Sequence, residues 1–273
     1  MIFDTGSEVL LCSIEQGVAT VTLNRPEARN ALGDELTPAV RNMIQMAGEN
    51  PQVGALLITG AGTAFCAGGD VKGMNANQGK PSSMTAEEKV LDLQDRQRRL
   101  TGALVGLRKP TIAALPGAAA GAGLAIALAC DLRIGAQSAF VATGYARIGL
   151  SGDYGIAWLL SRTVGNARAR ELMFLGDRVD AARCEKIGLF NSVVPDAQLQ
   201  STARDLAIRL AAGPSIALRY IKDNLDDAMT VDFDTARDTE AVRLVRTAQT
   251  EDHRRAIRAF VEKRPPVFTD NLD

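Results

Sequence analysis

One histidine, His253, serves a chain of 273 residues, and that scarcity removes several chemistries at once. A cysteine or serine nucleophile ordinarily needs a histidine base within reach. His253 sits near the C-terminus among arginines, far in sequence from any loop that could form a site. A zinc site built from histidine and cysteine is equally unsupported, and no metal is expected. The four cysteines, Cys12, Cys66, Cys130 and Cys184, are widely spaced and form no Cys-x-x-Cys pair. They read as reduced structural thiols of a cytoplasmic protein. Charge of one sign is also lacking: 31 Lys and Arg stand against 32 Asp and Glu. That near balance argues against bulk binding of nucleic acid. No apolar run has the length of a membrane span, and the first residues, around Asp4 and Glu8, carry no secretory pattern.

What is present is enough apolar sequence, 46%, to bury a large core, and two stretches of small residues that each follow a predicted strand. The first is Phe65-Cys66-Ala67-Gly68-Gly69-Asp70, after Val53–Thr59. The second is Gly117-Ala118-Ala119-Ala120-Gly121-Ala122-Gly123, after Pro110–Leu115. Small residues let a ligand approach the backbone closely. One N–H from each stretch, converging on one oxygen, would make an oxyanion hole for an acyl thioester. Such runs also serve simply as close-packing devices. A dinucleotide site is a third reading, because Gly117, Gly121 and Gly123 have G-x-x-x-G-x-G spacing. That reading requires the motif near the start of the chain and a Tyr-x-x-x-Lys pair. The motif is mid-chain, and none of the three tyrosines is followed four residues later by lysine.

Taken in order, Val9–Ile14 and Val18–Leu23 flank Gln16-Gly17 and read as a hairpin. A polar loop follows, then apolar residues from Leu36 to Ala47 at helical spacing, with Asp34 as candidate cap and Gly48 and Pro51 as stops. Gly73–Ser83 reads as a loop beside the site. Thr85-Ala86-Glu87-Glu88 fits a capping box for a helix with a stripe of Val90, Leu93, Leu100, Leu104 and Leu107. Thr111–Leu115 is a strand, a helix runs to Ala129, and Leu132–Ile134 is a strand. Beyond Asn166, helices dominate: Asn166–Leu175, Ala181–Ile187, Ala197–Ala212, Ser215–Asp227, Phe233–Thr247 and Asp252–Lys263. The strand–loop–helix recurrence implies an α/β fold with a parallel sheet.

Leu23-Asn24-Arg25-Pro26 with Asn30-Ala31-Leu32, Phe65–Lys72, Gly117–Asp131, Gly149-Leu150-Ser151-Gly152-Asp153, Gly176-Asp177 and Phe260–Arg264 together resemble the crotonase superfamily of enoyl-CoA hydratases and isomerases. The resemblance implies a spiral of strand–strand–helix turns, with residues 1–200 as acyl-CoA-binding core and 201–273 as a helical trimerisation part. It implies a CoA thioester as substrate, no separate cofactor, no nucleic-acid partner, and a homotrimer or dimer of trimers. It places the oxyanion-hole N–H groups at Gly69 and Ala122, with Ala67, Gly68 and Asp70 in the same loop. It places CoA-binding residues at Arg25, Ala28, Lys72, Phe260 and Lys263, the last two reaching a neighbouring subunit's site. Tyr145 is expected to touch substrate.

In that family, hydratases use two glutamates. The first falls on Ala125 here, and the second falls in the Phe140–Ile148 segment, which contains Gly144-Tyr145-Ala146-Arg147 and no carboxylate. Asp153 matches the acidic position of the enoyl-CoA isomerases, where one base moves a proton from C2 to C4. The alternative role for Asp153 is an N-cap of a helix starting at Tyr154. Three functions therefore stand side by side: double-bond isomerase, hydratase with an altered acid pair, and CoA-thioester binding protein without catalysis.

Overall fold

The computed structural model describes residues 2–70 and 84–269. Its eleven strands are β1 (Ile2–Phe3), β2 (Leu10–Glu15), β3 (Val18–Leu23), β4 (Ala55–Gly60), β5 (Ala64–Cys66), β6 (Thr111–Leu115), β7 (Ala118–Ala120), β8 (Leu132–Ala136), β9 (Phe140–Ala142), β10 (Val179–Asp180) and β11 (Ser192–Val194). They form two sheets. The larger has the order β1-β2-β3-β4-β6-β8-β11, and the smaller β10-β9-β7-β5. β3, β4, β6, β8 and β11 run parallel, as do β5, β7 and β9.

The chain alternates between the sheets. β4 is followed by β5, β6 by β7, and β8 by β9, each pair giving one strand to each sheet before a helix returns the chain. This is the spiral of strand–strand–helix turns. All six residues of β4 and all five of β6 are buried, as expected for parallel strands covered on both faces. β2 and β3 form the predicted hairpin, closed by Gln16 and Gly17, both with positive φ, the two-residue turn that matches strand twist.

The helices are α1 (Leu36–Glu49), α2 (Ala86–Gln97), α3 (Ala103–Gly106), α4 (Ala122–Ala129), α5 (Ile156–Leu175), α6 (Ala181–Lys186), α7 (Leu199–Ala211), α8 (Ser215–Asp227), α9 (Phe233–Ala248) and α10 (Glu251–Val261). The α2 capping box is present: Thr85 Oγ1 accepts from Glu88 N, and Glu88 accepts from Thr85 N. A π-helical turn, Arg98–Gly102, joins α2 to α3. Helix α4 is buried at every position, so it threads the core between the two sheets' connections.

Several boundaries differ from the sequence reading, each for a local reason. Asp34 does not cap α1; Glu35 holds that position without a side-chain bond, and Gly48 lies inside the helix. Helix α5 begins at Ile156 and is broken at Gly165, φ 77°, so that Asn166–Leu175 is its second segment, as the sequence reading placed it. Of the stripe on α2–α3, Leu100 and Leu104 are buried whereas Val90 and Leu93 are exposed, because α2 rises off the core. Phe65-Cys66 and Ala118–Ala120, read as loop, are strands of the smaller sheet. The expected loop Gly73–Ser83 falls outside the described residues.

Candidate active site

The two small-residue stretches are brought together by the pairing of β5 with β7, which sets Ala64 beside Ala118 and Cys66 beside Ala119. Their glycines are packing requirements. A Cβ on Gly117 would stand 2.0 Å from the Thr63 carbonyl oxygen, and one on Gly123 would stand 2.2 Å from that of Cys66. Gly68 has φ +89°, and a Cβ there would meet the Ala120 carbonyl oxygen at 2.7 Å and the Ala122 nitrogen at 3.5 Å. Close packing of the two stretches therefore requires these small residues.

Gly69 is held by Leu32 on one side. Leu32 N donates to Gly68 O at 2.7 Å and Asp70 N donates to Leu32 O at 3.1 Å. In that parallel pairing the N–H of the intervening residue points the other way. Ala122 is the first residue of α4, where N–H groups have no partner within the helix and the dipole favours negative charge. Gly69 and Ala122 line the same cavity of about 660 Å³. Asp153 and Tyr154 line it as well.

The Asp153 segment is wound by left-handed residues: Gly149, Gly152, Tyr154 and Gly155 all have positive φ. Its carboxylate does not cap α5, whose N-cap is Gly155; only the Asp153 carbonyl accepts, from Ile156 N. Instead, Tyr145 donates its hydroxyl proton to Asp153 Oδ1 at 2.5 Å. Burial raises the Asp153 carboxyl above its ordinary value, and the Tyr145 hydrogen bond partly opposes the rise. Tyr145 is itself buried, and its phenol is held far above its usual value by burial and by Asp153. It therefore stays protonated and serves as a donor. The ring tip packs against Gly121, 3.7 Å from where a Cβ would lie, immediately before Ala122.

Ala125 is fully buried on α4 and offers no proton. Burial pushes the Cys66 thiol up to about 12, so it is no thiolate nucleophile at neutral pH. Among the described residues, no cluster of three His, Cys, Asp or Glu side chains is placed to hold a metal ion.

A second cavity, of about 600 Å³, is lined by Arg25, Ala28, Arg29, Ala67, Gly69 and Asp70, so the two meet at Gly69 and Asp70. Its loop is built by Asn30, fully buried, whose side chain accepts from Arg25 N and donates to the carbonyls of Ala61 and Ala64. Arg29 and Asn30 both have positive φ. Arg25 itself donates to Ala31 O at 3.0 Å. Gly68 adjoins this arrangement through its carbonyl. Lys72 falls outside the described residues. Phe260 and Lys263 lie at the end of α10, where Phe260 is 84% exposed; neither lines the two cavities. The sequence reading did not single out the Tyr145–Asp153 bond, or Arg41 and Tyr154 on the cavity wall.

Among the described residues, no helix is long and apolar enough to cross a membrane. With this geometry in place, comparison adds the following. Residues 13–271 match the family described as Enoyl-CoA hydratase/isomerase. The chain is 36% identical over 262 residues to the 1,2-epoxyphenylacetyl-CoA isomerase of Escherichia coli (strain K12), covering 96% of this chain and 98% of that protein. It is 34% identical over 254 residues to the short-chain-enoyl-CoA hydratase of Clostridium acetobutylicum, covering 92% and 93%. A crystal structure of an enoyl-CoA hydratase from Polaromonas sp. JS666 superposes with a TM-score of 0.88 at 33% identity, covering 95% of this chain and 99% of that one.

Proposed function

The chain belongs to the enoyl-CoA hydratase/isomerase family of the crotonase superfamily, acyl-CoA enzymes, and from that premise we propose that it moves a double bond, converting a 3-enoyl-CoA to the conjugated 2-enoyl-CoA. The observation that carries the reading is Asp153: one carboxylate with a raised pKa, facing the cavity that Gly69 and Ala122 line. Neither hydratase glutamate has a counterpart, since Ala125 is buried and Tyr145 is a protonated donor.

Asp153 removes a proton from C2. The electron pair spreads over C2–C4 and the thioester oxygen, which the Gly69 and Ala122 N–H groups stabilise. The protonated Asp153 then returns its proton at C4, and the double bond stands between C2 and C3. Atoms and charge balance without water or a cofactor, and we assign none beyond the CoA of the substrate. A carboxyl raised above its ordinary value by burial is the better base for the first half of this shuttle.

The CoA moiety is assigned to the second cavity, where Arg25 and Ala28 lie, with Lys72 nearby in sequence. Ala67, Gly68 and Asp70 shape the junction of the two cavities. We further assign a homotrimer or dimer of trimers. Support comes from α8–α10, which expose Ile221, Leu225, Phe233, Leu244, Ile257 and Phe260, an apolar surface suited to another subunit. In such an assembly Phe260 and Lys263 reach a neighbour's CoA. We also assign a cytoplasmic location, which the four buried free thiols support.

The test is ultraviolet absorbance on mixing with a 3-enoyl-CoA, beside a parallel run with the 2-enoyl-CoA. Growth of the conjugated-thioester band from the first supports isomerisation. Loss of that band from the second, with little action on the first, assigns a hydratase instead.

A further inference from the structure

Three arginines line the cavity next to the proposed base: Arg41, Arg96 and Arg99. Two are already neutralised. Arg96 pairs with Asp92 at 2.7 Å and Arg99 with Asp95 at 3.6 Å, each one turn away on the same helical stretch. Arg41 on α1 has no carboxylate partner among the described residues. Its Nε and Nη2 are buried and make no hydrogen bond. The neighbour it does have is Tyr154, whose phenol burial raises above its ordinary value, with the charge and hydrogen bond of Arg41 partly opposing the rise.

An unsatisfied buried guanidinium edge is costly. Nε–H and Nη2–H are also a matched pair: they point the same way and fit the two oxygens of one carboxylate. Tyr154 is adjacent to Asp153 in the chain, and Arg41 lines the same cavity as Asp153, Gly69 and Ala122. With CoA assigned to the cavity of Arg25 and Ala28, which Arg41 does not line, Arg41 is on the acyl side of the Gly69–Asp70 junction. Whatever reaches Arg41 is therefore the far end of the acyl group.

We propose that the acyl group of the substrate carries a second carboxylate, which binds Arg41 in bidentate fashion at the distal end of the cavity. This rests on the reading of the cavity as an acyl-CoA site. Both nitrogens are closed to solvent, so binding turns the guanidinium about its terminal torsions into the cavity that its side chain lines. Asp34, Asp70 and Asp153 line the cavity too, so a free anion is not drawn in by the overall field. The thioester end anchors the ligand, and direct contact with Arg41 selects its tail. Half of the lining residues are charged, with Leu32, Leu93, Pro38 and Ala122 as its few apolar contributors, which is poor company for a long alkyl chain.

The experiment compares matched thioesters of six and eight carbons, with a methyl or a carboxylate at the far end. Binding is measured first, by calorimetry with the saturated pair hexanoyl-CoA and hexanedioyl-CoA, which needs no turnover. The carboxylated thioester is expected to bind about tenfold more tightly at one or both lengths. In Arg41→Met that ratio is expected to fall to about one, while Arg41→Lys keeps part of it. Equal affinities in the unaltered protein, or a preference for the methyl end, overturn the proposal, as does a ratio that survives Arg41→Met. Failure of every acyl-CoA to bind would instead overturn the acyl-CoA reading itself. Isomerisation of the 3-enoyl pair then reads the same ratio in kcat/KM, so a protein that binds with the expected preference but turns over neither substrate sinks only the isomerase assignment.

Discussion

The cavity has two unlike walls. Toward Gly69 and Ala122 it is made of backbone, held by the pairing of β5 with β7. Toward Asp153, Tyr154 and Arg41 it is made of side chains on a wound loop and on α1, with Tyr145 behind Asp153. Backbone donors are positioned by the whole fold and are indifferent to which small side chain they carry, so the proposed role of Ala122 does not require glycine there. Side-chain groups depend on one or two hydrogen bonds each, and there a single atom decides the chemistry. The first wall should respond to substitution through stability, the second through kinetics.

The largest effect belongs to the second wall. Asp153→Asn is expected to lower turnover of a 3-enoyl-CoA about a thousandfold or more, since proton transfer by a positioned base contributes 10²–10⁴-fold. Acyl-CoA affinity should stay within a few fold, because the oxyanion donors are untouched. Stability moves the other way. The Asp153 carboxyl has a folded-state value raised above the unfolded one. Such a group gives full stability below the unfolded pKa and loses it as pH rises through the folded pKa. Asparagine avoids that loss, so the variant should melt at or above the parent at pH 7, with the difference vanishing toward pH 4. A fully active variant would reject Asp153 as the base.

On the first wall, Gly123→Ala should act through folding. Its Cβ would meet a backbone oxygen at 2.2 Å and the Cys66 Cβ at 2.7 Å, and neither can step aside. A loss of about 3 kcal/mol, or roughly 10 °C in melting temperature, is expected by differential scanning fluorimetry. Gly106→Ala is the control, since no heavy atom among the described residues lies within 4 Å of its added Cβ. It should stay within about 1 kcal/mol of the parent. Equal effects at the two glycines would mean that the small-residue stretches are not the packing seam seen here.

This contrast also explains what the sequence showed and what it hid. The hairpin, Thr111–Leu115, the Thr85 capping box and Ser215–Asp227 were legible, since their apolar period and punctuation are local. The smaller sheet was not: Ala64-Phe65-Cys66 and Ala118–Ala120 are only three residues long, too short to show an alternating period, and the second is all alanine, a residue depleted in strands. Gly69, Ala122 and Asp153 could be named because a family motif marks their positions. The Tyr145–Asp153 bond could not, because it joins two irregular segments whose approach depends on how the turns at Gly149 and Gly152 are wound. Arg41 was hidden for the opposite reason: an arginine on an amphipathic helix reads as solvated until its nitrogens are found buried.

The smallest expected effect is the sharpest test of the side-chain wall. Tyr145→Phe removes one donor from Asp153 and leaves the ring against Gly121. Two influences act on that carboxyl, burial raising its pKa and the tyrosine hydrogen bond lowering it, with burial the larger. Without the hydrogen bond the ionised form loses support and the pKa rises further. The acidic limb of kcat/KM should then move to higher pH, while the plateau above it falls by less than about tenfold, through looser orientation of the base. A merely structural tyrosine would lower the plateau or the melting temperature and leave the limb where it was. A limb that moves in Tyr145→Phe and disappears with the activity in Asp153→Asn assigns the titration to Asp153, and sets the hydroxyl of Tyr145, rather than the backbone wall, as what tunes the base.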